Sequence, residues 1–217
     1  MPRVEIALTI TVHGALAVAG GARDARGDLV LRGSHVKGRF RHACEQAARA
    51  LGLPVCQPPD PASMCPNAPG VGQPPCSACT LFGAPAWPSP LRWADLRAEA
   101  AAGPTGAKVL PTFVRAGVAL DRRLGTAVAD AAYLVETSPA LPGAAVRFAS
   151  ERAISGHLDD PALLPLLLAG ARLVTGMGAG ATRGLGWSEV QATARLDGEP
   201  VVFEPAALAR LAEQVGG

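Results

Sequence analysis

Cys56, Cys65, Cys76 and Cys79 follow the pattern C-x8-C-x10-C-x2-C. The closing "CSAC" sets two thiolates at the spacing of a zinc knuckle, and the two earlier cysteines complete a candidate tetrahedral site. The surrounding residues are rich in proline and carry no apolar period, so the thiols have little to bury against. Bound Zn2+ would supply the folding energy that so polar a segment lacks. Four sulfur ligands leave no position for water, which makes the expected metal structural and not catalytic. The alternative is four unrelated buried thiols. His42 and Cys44, on the element before the cluster, are the other side chains able to replace one ligand, although Cys44 also fits a packed helix side.

Three further stretches combine glycine with cations or hydroxyls: "LRGSHVKGRFR" (31–41), "VRAGVALDRRLGTA" (114–127) and "GMGAGATRGLG" (176–186). Glycine lets backbone amides approach a phosphate, a helix N-terminus adds positive potential, and Lys or Arg supplies counter-charge. Lys37, Arg39 and Arg41 read equally as a solvated helix face, and the last stretch as a tight turn. His13, His35, His42 and His157 are scattered along the chain, so no histidine acid–base pair is predicted.

The elements that must position these residues follow from periodicity. Val4, Ile6, Leu8, Ile10 and Val12 alternate with Arg3, Glu5, Ala7, Thr9 and Thr11, the period of a strand with one buried face. A glycine-rich loop follows, then a short strand and a helix with Ser34 as N-cap, Val36, Phe40, Ala43, Ala47 and Leu51 at helical spacing, and Gly52 as its stop. Residues 53–90 form a cysteine-bearing insertion, and residues 91–140 an excursion with weak signals. "AAVRFASERAISGHL" predicts a strand, "DPALLPLLLAGARLVTG" a helix starting near Asp160, "SEVQATARL" a strand and "EPAALARLAEQVGG" a closing helix. This order gives an α+β class with a ferredoxin-like βαβ arrangement and a large excursion between its halves.

Composition sets the outer limits. The 217 residues are 49% hydrophobic and 18% charged, enough for one globular domain of residues 1–217 with long loops drawn from 25 Gly and 20 Pro. A formal charge of +2 does not by itself announce a nucleic-acid partner. The opening "MPRVEIALTITVHG" lacks the pattern of a secretory signal, and no apolar window is long enough to cross a bilayer, so the expected location is cytoplasmic with no membrane partner.

Taken together, these stretches resemble the RAMP superfamily, and within it the backbone subunits of type III CRISPR effector complexes. "LRGSHVKGRFRHACE" is similar to the family's glycine-serine-lysine-glycine segment, and "CSACTLFG" to its cysteine-rich run into leucine-phenylalanine-glycine. "ALDRRLGTA" resembles its isoleucine-aspartate-arginine stretch, with "LVETSPALPGAAVRF" after it, and "GAGATRGLGWSEV" its signature glycine-rich loop. The resemblance implies a modified RNA-recognition fold carrying a zinc-binding insertion and a thumb-like excursion. Its copies stack with other effector subunits along a CRISPR guide RNA that pairs with target RNA. By that likeness Ser34, His35, Lys37, Arg39 and Arg41 on the first helix, Arg122 and Arg123 on the thumb, and Gly178, Gly180, Thr182, Arg183 and Gly184 in the last loop contact RNA. Many members of this branch also cleave target RNA with an aspartate and Mg2+ or Mn2+. Asp24, then Asp28, in "RDARGD" are the candidates here, in a loop shorter than the family's usual version. Arg32, His35 and "FVRAG" depart from the family pattern. The alternatives are a RAMP endoribonuclease that processes guide precursor and a zinc-stabilised protein-interaction module.

Overall fold

The computed structural model describes residues 1–17, 23–25, 27–67, 75–99, 112–138 and 145–216. Parts of the glycine-rich loop after the first strand (18–22, 26), of the proline-rich insertion (68–74) and of the excursion (100–111), together with 139–144, lie outside the described residues. In chain order the elements are β1 (Arg3–Val12), β2 (Val30–Leu31), α1 (Gly33–Ala50), α2 (Ser77–Phe82), β3 (Leu91–Trp93), β4 (Leu96–Ala98), β5 (Phe113–Leu120), β6 (Ala127–Thr137), β7 (Val146–His157), α3 (Leu164–Leu173), β8 (Ser188–Leu196), β9 (Glu199–Val201) and α4 (Pro205–Gly216).

The alternation in β1 is realised as an inward row. Val4, Ile6, Leu8, Ile10 and Val12 are each at most 1% exposed, while the residues between them face the more open side. β1 pairs antiparallel with β7 on one edge and with β8 on the other. The main sheet runs β2-β4-β7-β1-β8-β9, with β3 also on β7, and its described pairings are antiparallel. The chain is therefore a mixed α+β fold on an antiparallel sheet. Two strands that the sequence reading left in the excursion, β3 and β4, belong to this sheet. They are three residues each, too short to show a period.

α1 turns Val36, Phe40, Ala43, Cys44, Ala47 and Ala48 into a common core with β1, β7 and α3. Its start differs from the expectation. Ser34 is inside the helix, Arg32 holds the N-cap position without a side-chain cap, and the Gly33 amide donates to Asp95 Oδ1 at 2.8 Å. A carboxylate from the β3–β4 turn thus occupies the positive helix end. Gly52 stops the helix as expected: its amide bonds Arg49 O at 3.1 Å, and the Leu53 amide bonds Ala48 O at 2.9 Å, a Schellman ending closed by buried Leu53. Asp160 caps the turn that leads into α3 by accepting from the Ala162 amide at 3.0 Å.

β5 and β6 form a separate two-stranded hairpin. Phe113, Val114, Val118, Leu120, Val128, Tyr133 and Leu134 on it are all exposed, Leu134 by 75%. Its root is tied to the body by reciprocal bonds between Leu16 and Ser138 and a bridge between Ala17 and Thr137.

Candidate nucleic-acid interface and cysteine cluster

Residues 175–187 connect α3 to β8 as a loop folded on itself. The Met177 amide bonds Gly186 O at 2.8 Å, the Gly186 amide bonds Ala15 O at 2.8 Å, and the Ala179 amide reaches Ala17 O at 3.3 Å. Gly186 (φ 68°) and Gly178 (φ 76°) are in the left-handed region, where a Cβ would sit 1.8 Å from Met177 O and 2.6 Å from Ala17 O. These two glycines serve the protein's own backbone packing. The Gly178 amide is also committed, donating to His35 Nε2 at 2.9 Å. A different segment faces outward: a 3-10 turn, Ala181–Arg183, framed by left-handed Gly180 and Gly184. The amides of Gly180, Ala181 and Thr182 have no protein acceptor among the described residues, an arrangement suited to an anion.

This outer turn meets the hairpin. Arg183 Nη1 lies 2.6 Å from Tyr133 Oη with its guanidinium 5.1 Å from the ring centre, and the Tyr133 ring lies across Gly117 on the paired strand. Between them opens a cleft of about 180 Å³ lined by Ala17, Arg115, Tyr133, Gly180 and Arg183 among others. Arg122 and Arg123 are exposed at the hairpin tip, whose turn is held by Asp121 Oδ1 accepting from the Arg123 and Leu124 amides at 2.8 and 2.9 Å. Those two amides hold the Asp121 carboxyl below its usual range.

The basic residues of α1 split between two flanks, as residues two apart on a helix must. On one flank His35 and Arg39 hold the glycine loop, Arg39 Nε donating to Gly176 O at 2.7 Å. Burial, then the charge of Arg39, lowers the His35 pKa, which keeps it the neutral acceptor that the Gly178 amide requires. Arg39, His42, Thr175 and Thr182 line a second cleft of about 380 Å³ behind the loop. On the other flank Lys37 is half-buried, its pKa lowered by burial and by Arg41. Arg41 points away from the loop: it bonds Glu45 Oε1 (2.8 Å), Gly83 O (3.0 Å) and Cys79 Sγ (3.6 Å). Ser34 is exposed at the start of the helix, beside the Asp95 cap. Three of the four histidines, two of them on α1, stand around this loop. His35 bonds the loop, His42 lines the cleft, and His13 stacks on Trp187 at 4.6 Å.

Cys56, Cys65, Cys76 and Cys79 are buried with their sulfurs within 4.8 Å of one another, and Cys56 and Cys79 lie 3.5 Å apart. A tetrahedron with Zn–S bonds of about 2.3 Å has sulfurs about 3.8 Å apart, so the set is compatible with a zinc site. A hydrogen bond from the Cys79 thiol, working against burial, draws Cys76 down to about 4, and the same pairing pushes Cys79 up. Among the described residues, the apolar side chains packed around the sulfurs are Ala78, Val55, Ala84 and Trp87, a core too small to order the insertion alone. Arg41 adds the counter-charge for thiolates and fixes the end of α2 through Gly83. Neither open alternative joins the set: Cys44 donates to Leu166 O at 3.5 Å inside the main core, and exposed His42 lies at the glycine loop.

Asp24 does not present an open carboxylate. Its Oδ1 accepts from the Asp28 amide at 3.1 Å and its Oδ2 lies 3.2 Å from Arg97 Nε on β4, so the side chain closes a turn and an ion pair. Asp28 is half-buried in the same turn. Among the described residues, the side chains that converge as a metal-ligating group of three or more are the four cysteines.

Among the described residues, no helix is long and apolar enough to cross a membrane. No curated protein is similar enough in sequence to be matched with the chain. A family comparison does match, over residues 9–189, a span from the middle of β1 to the start of β8 that contains α1, the cysteine cluster, the hairpin and the glycine-rich loop. On that match the chain belongs to the RAMP superfamily, whose members are CRISPR-associated RNA-binding proteins of multisubunit complexes.

Proposed function

We propose that the chain is a guide-RNA-binding backbone subunit of a type III-like CRISPR effector complex, stacking with copies of itself and other subunits along the guide and positioning target RNA. The observation that carries this reading is the cleft where Arg115, Arg183, Tyr133 and Gly180 converge, at the start of the outer turn whose Gly180–Thr182 amides have no protein acceptor among the described residues. Cations and bare amides bind sugar-phosphate without reading bases, as a subunit that accepts any guide must. The sheet order β8-β1-β7 continued by β3 and β4, with α1 and α3 in one core, supports a ferredoxin-like modified RNA-recognition fold. Within it the cysteine insertion is a structural zinc module and the β5–β6 hairpin the thumb, with Arg122 and Arg123 at its tip. Lys37 and Ser34 flank the helix start as secondary RNA contacts, whereas Arg39, His35 and Arg41 act by holding the loop and the cluster. With Asp24 closing its own turn, target cleavage is not assigned to this chain.

His42 in the cleft beside Arg39 and Thr182 favours a second reading, a precursor-processing endoribonuclease. One preparation separates the two. The chain purified with its partner subunits should carry RNA and absorb strongly near 260 nm, and Arg115→Glu with Arg183→Glu should strip that RNA while the chain stays folded. Undiminished RNA in the double variant refutes the proposal. Cutting of a repeat-containing precursor that disappears in His42→Ala would establish the second reading instead.

A further inference from the structure

Trp187, the last residue before β8, is 57% exposed although its indole is the largest apolar side chain the chain has to bury. Its backbone is fixed on both sides: Trp187 O accepts from the His13 amide at 2.8 Å, Gly176 bridges it, and the next amide, Ser188, bonds Thr175 O at 3.0 Å. Its ring is fixed too, against His13 at 4.6 Å between centroids and tilted 39°, with His13 Nε2 3.5 Å from Glu189 Oε1. The contrast is Trp93, which packs edge-on to Phe40 at 5.2 Å and stacks with Phe82 at 5.7 Å in the interior. Trp187 is therefore propped in the open on a rigid root.

What covers it is indicated by its surroundings. Through Gly176, Trp187 adjoins the cleft of Arg39, His42, Thr175 and Thr182, which offers donors to a phosphate or ribose. Beside the bracing His13 stands Glu189, which disfavours phosphate and can accept from an N–H on the edge of a base. Glu189, Gln191, Thr193 and Arg195 then continue along β8 as exposed, alternating polar residues. A π-face with donors for a backbone on one side and base-edge partners on the other is the chemistry of a single-stranded nucleotide platform.

We propose that Trp187, braced by His13, stacks one nucleobase of single-stranded RNA whose backbone lies in the adjoining cleft. This rests on the RNA-binding reading above and adds a base contact to it. The test uses the purified full chain with a fluorescent ten-nucleotide oligouridylate and with the matching abasic ribose-phosphate oligomer. Trp187→Ala should weaken oligouridylate about 5- to 150-fold, the size of one stacked base, with Trp187→Phe close to wild type. Neither variant should change binding of the abasic oligomer. Oligouridylate should quench tryptophan emission in the wild type and leave the emission of Trp187→Phe nearly unchanged. Wild-type-like affinity in Trp187→Ala, or an equal loss on the abasic oligomer, overturns the platform while leaving RNA binding intact. Failure of the wild-type chain to bind either oligomer overturns both.

Discussion

At the scale of single residues, His35 couples solution acidity to the glycine-rich loop. Its Nε2 accepts the Gly178 amide, and a protonated imidazole has no lone pair to offer there. Burial lowers its pKa in the folded chain below the unfolded value of about 6.5. A depressed histidine contributes its full stability above the unfolded pKa and loses it as pH falls from there towards the folded value. Thermal melts from pH 7.5 to 5 should thus fall more steeply in the wild type than in His35→Gln, whose amide oxygen accepts at any pH. Equal slopes would remove His35 from this role. The residue types of the site were legible in the sequence, whereas their division of labour was not. "HVKGRFR" reads as one basic patch, yet the helical turn sends Arg39 to the loop and Arg41 to the cysteines. His13 from the end of β1 and His35 and His42 from α1 meet at one loop because the sheet brings β1, α1 and the β8 entrance together. Spacing along the chain carries no signal for that.

At the scale of elements, legibility followed the contrast between inside and outside. β1, the end of α1 and β8 were readable because each has one apolar face against a core. The hairpin is exposed on both faces, so "FVRAGVAL" mixes apolar and polar residues without a period and gives no strand signal. α2 was illegible for another reason. It has six residues between an N-cap at Cys76 and a C-cap at Gly83 and carries Cys79, so its order comes from the sulfur cluster and Arg41 more than from propensity. Metal analysis should find about one zinc per chain. Cys76→Ser should lose that zinc and render residues 53–90 sensitive to protease, while β1, β7 and β8 keep slow amide exchange, since their core is separate. Zinc retained at full occupancy in Cys76→Ser would contradict the four-sulfur site.

At the scale of the whole molecule, a formal charge of +2 disguises where the cations stand. Many arginines are spent in internal ion pairs, among them Arg41 with Glu45, Arg97 with Asp24, Arg147 with Glu99 and Arg152 with Glu5. Those exposed on the hairpin and the outer turn are Arg115 and Arg183 at the cleft and Arg122 and Arg123 at the hairpin tip. Beyond its root, the hairpin is tied to the body by the Arg183–Tyr133 contact. That fastening couples the hairpin to whatever engages Arg183. On the RNA-binding reading proposed above, a phosphate that recruits Arg183 would take its guanidinium from the tyrosine hydroxyl and so loosen the hairpin beyond its root. Hydrogen exchange across residues 113–134 should accelerate on RNA loading, and Tyr133→Phe should exchange fast from the outset.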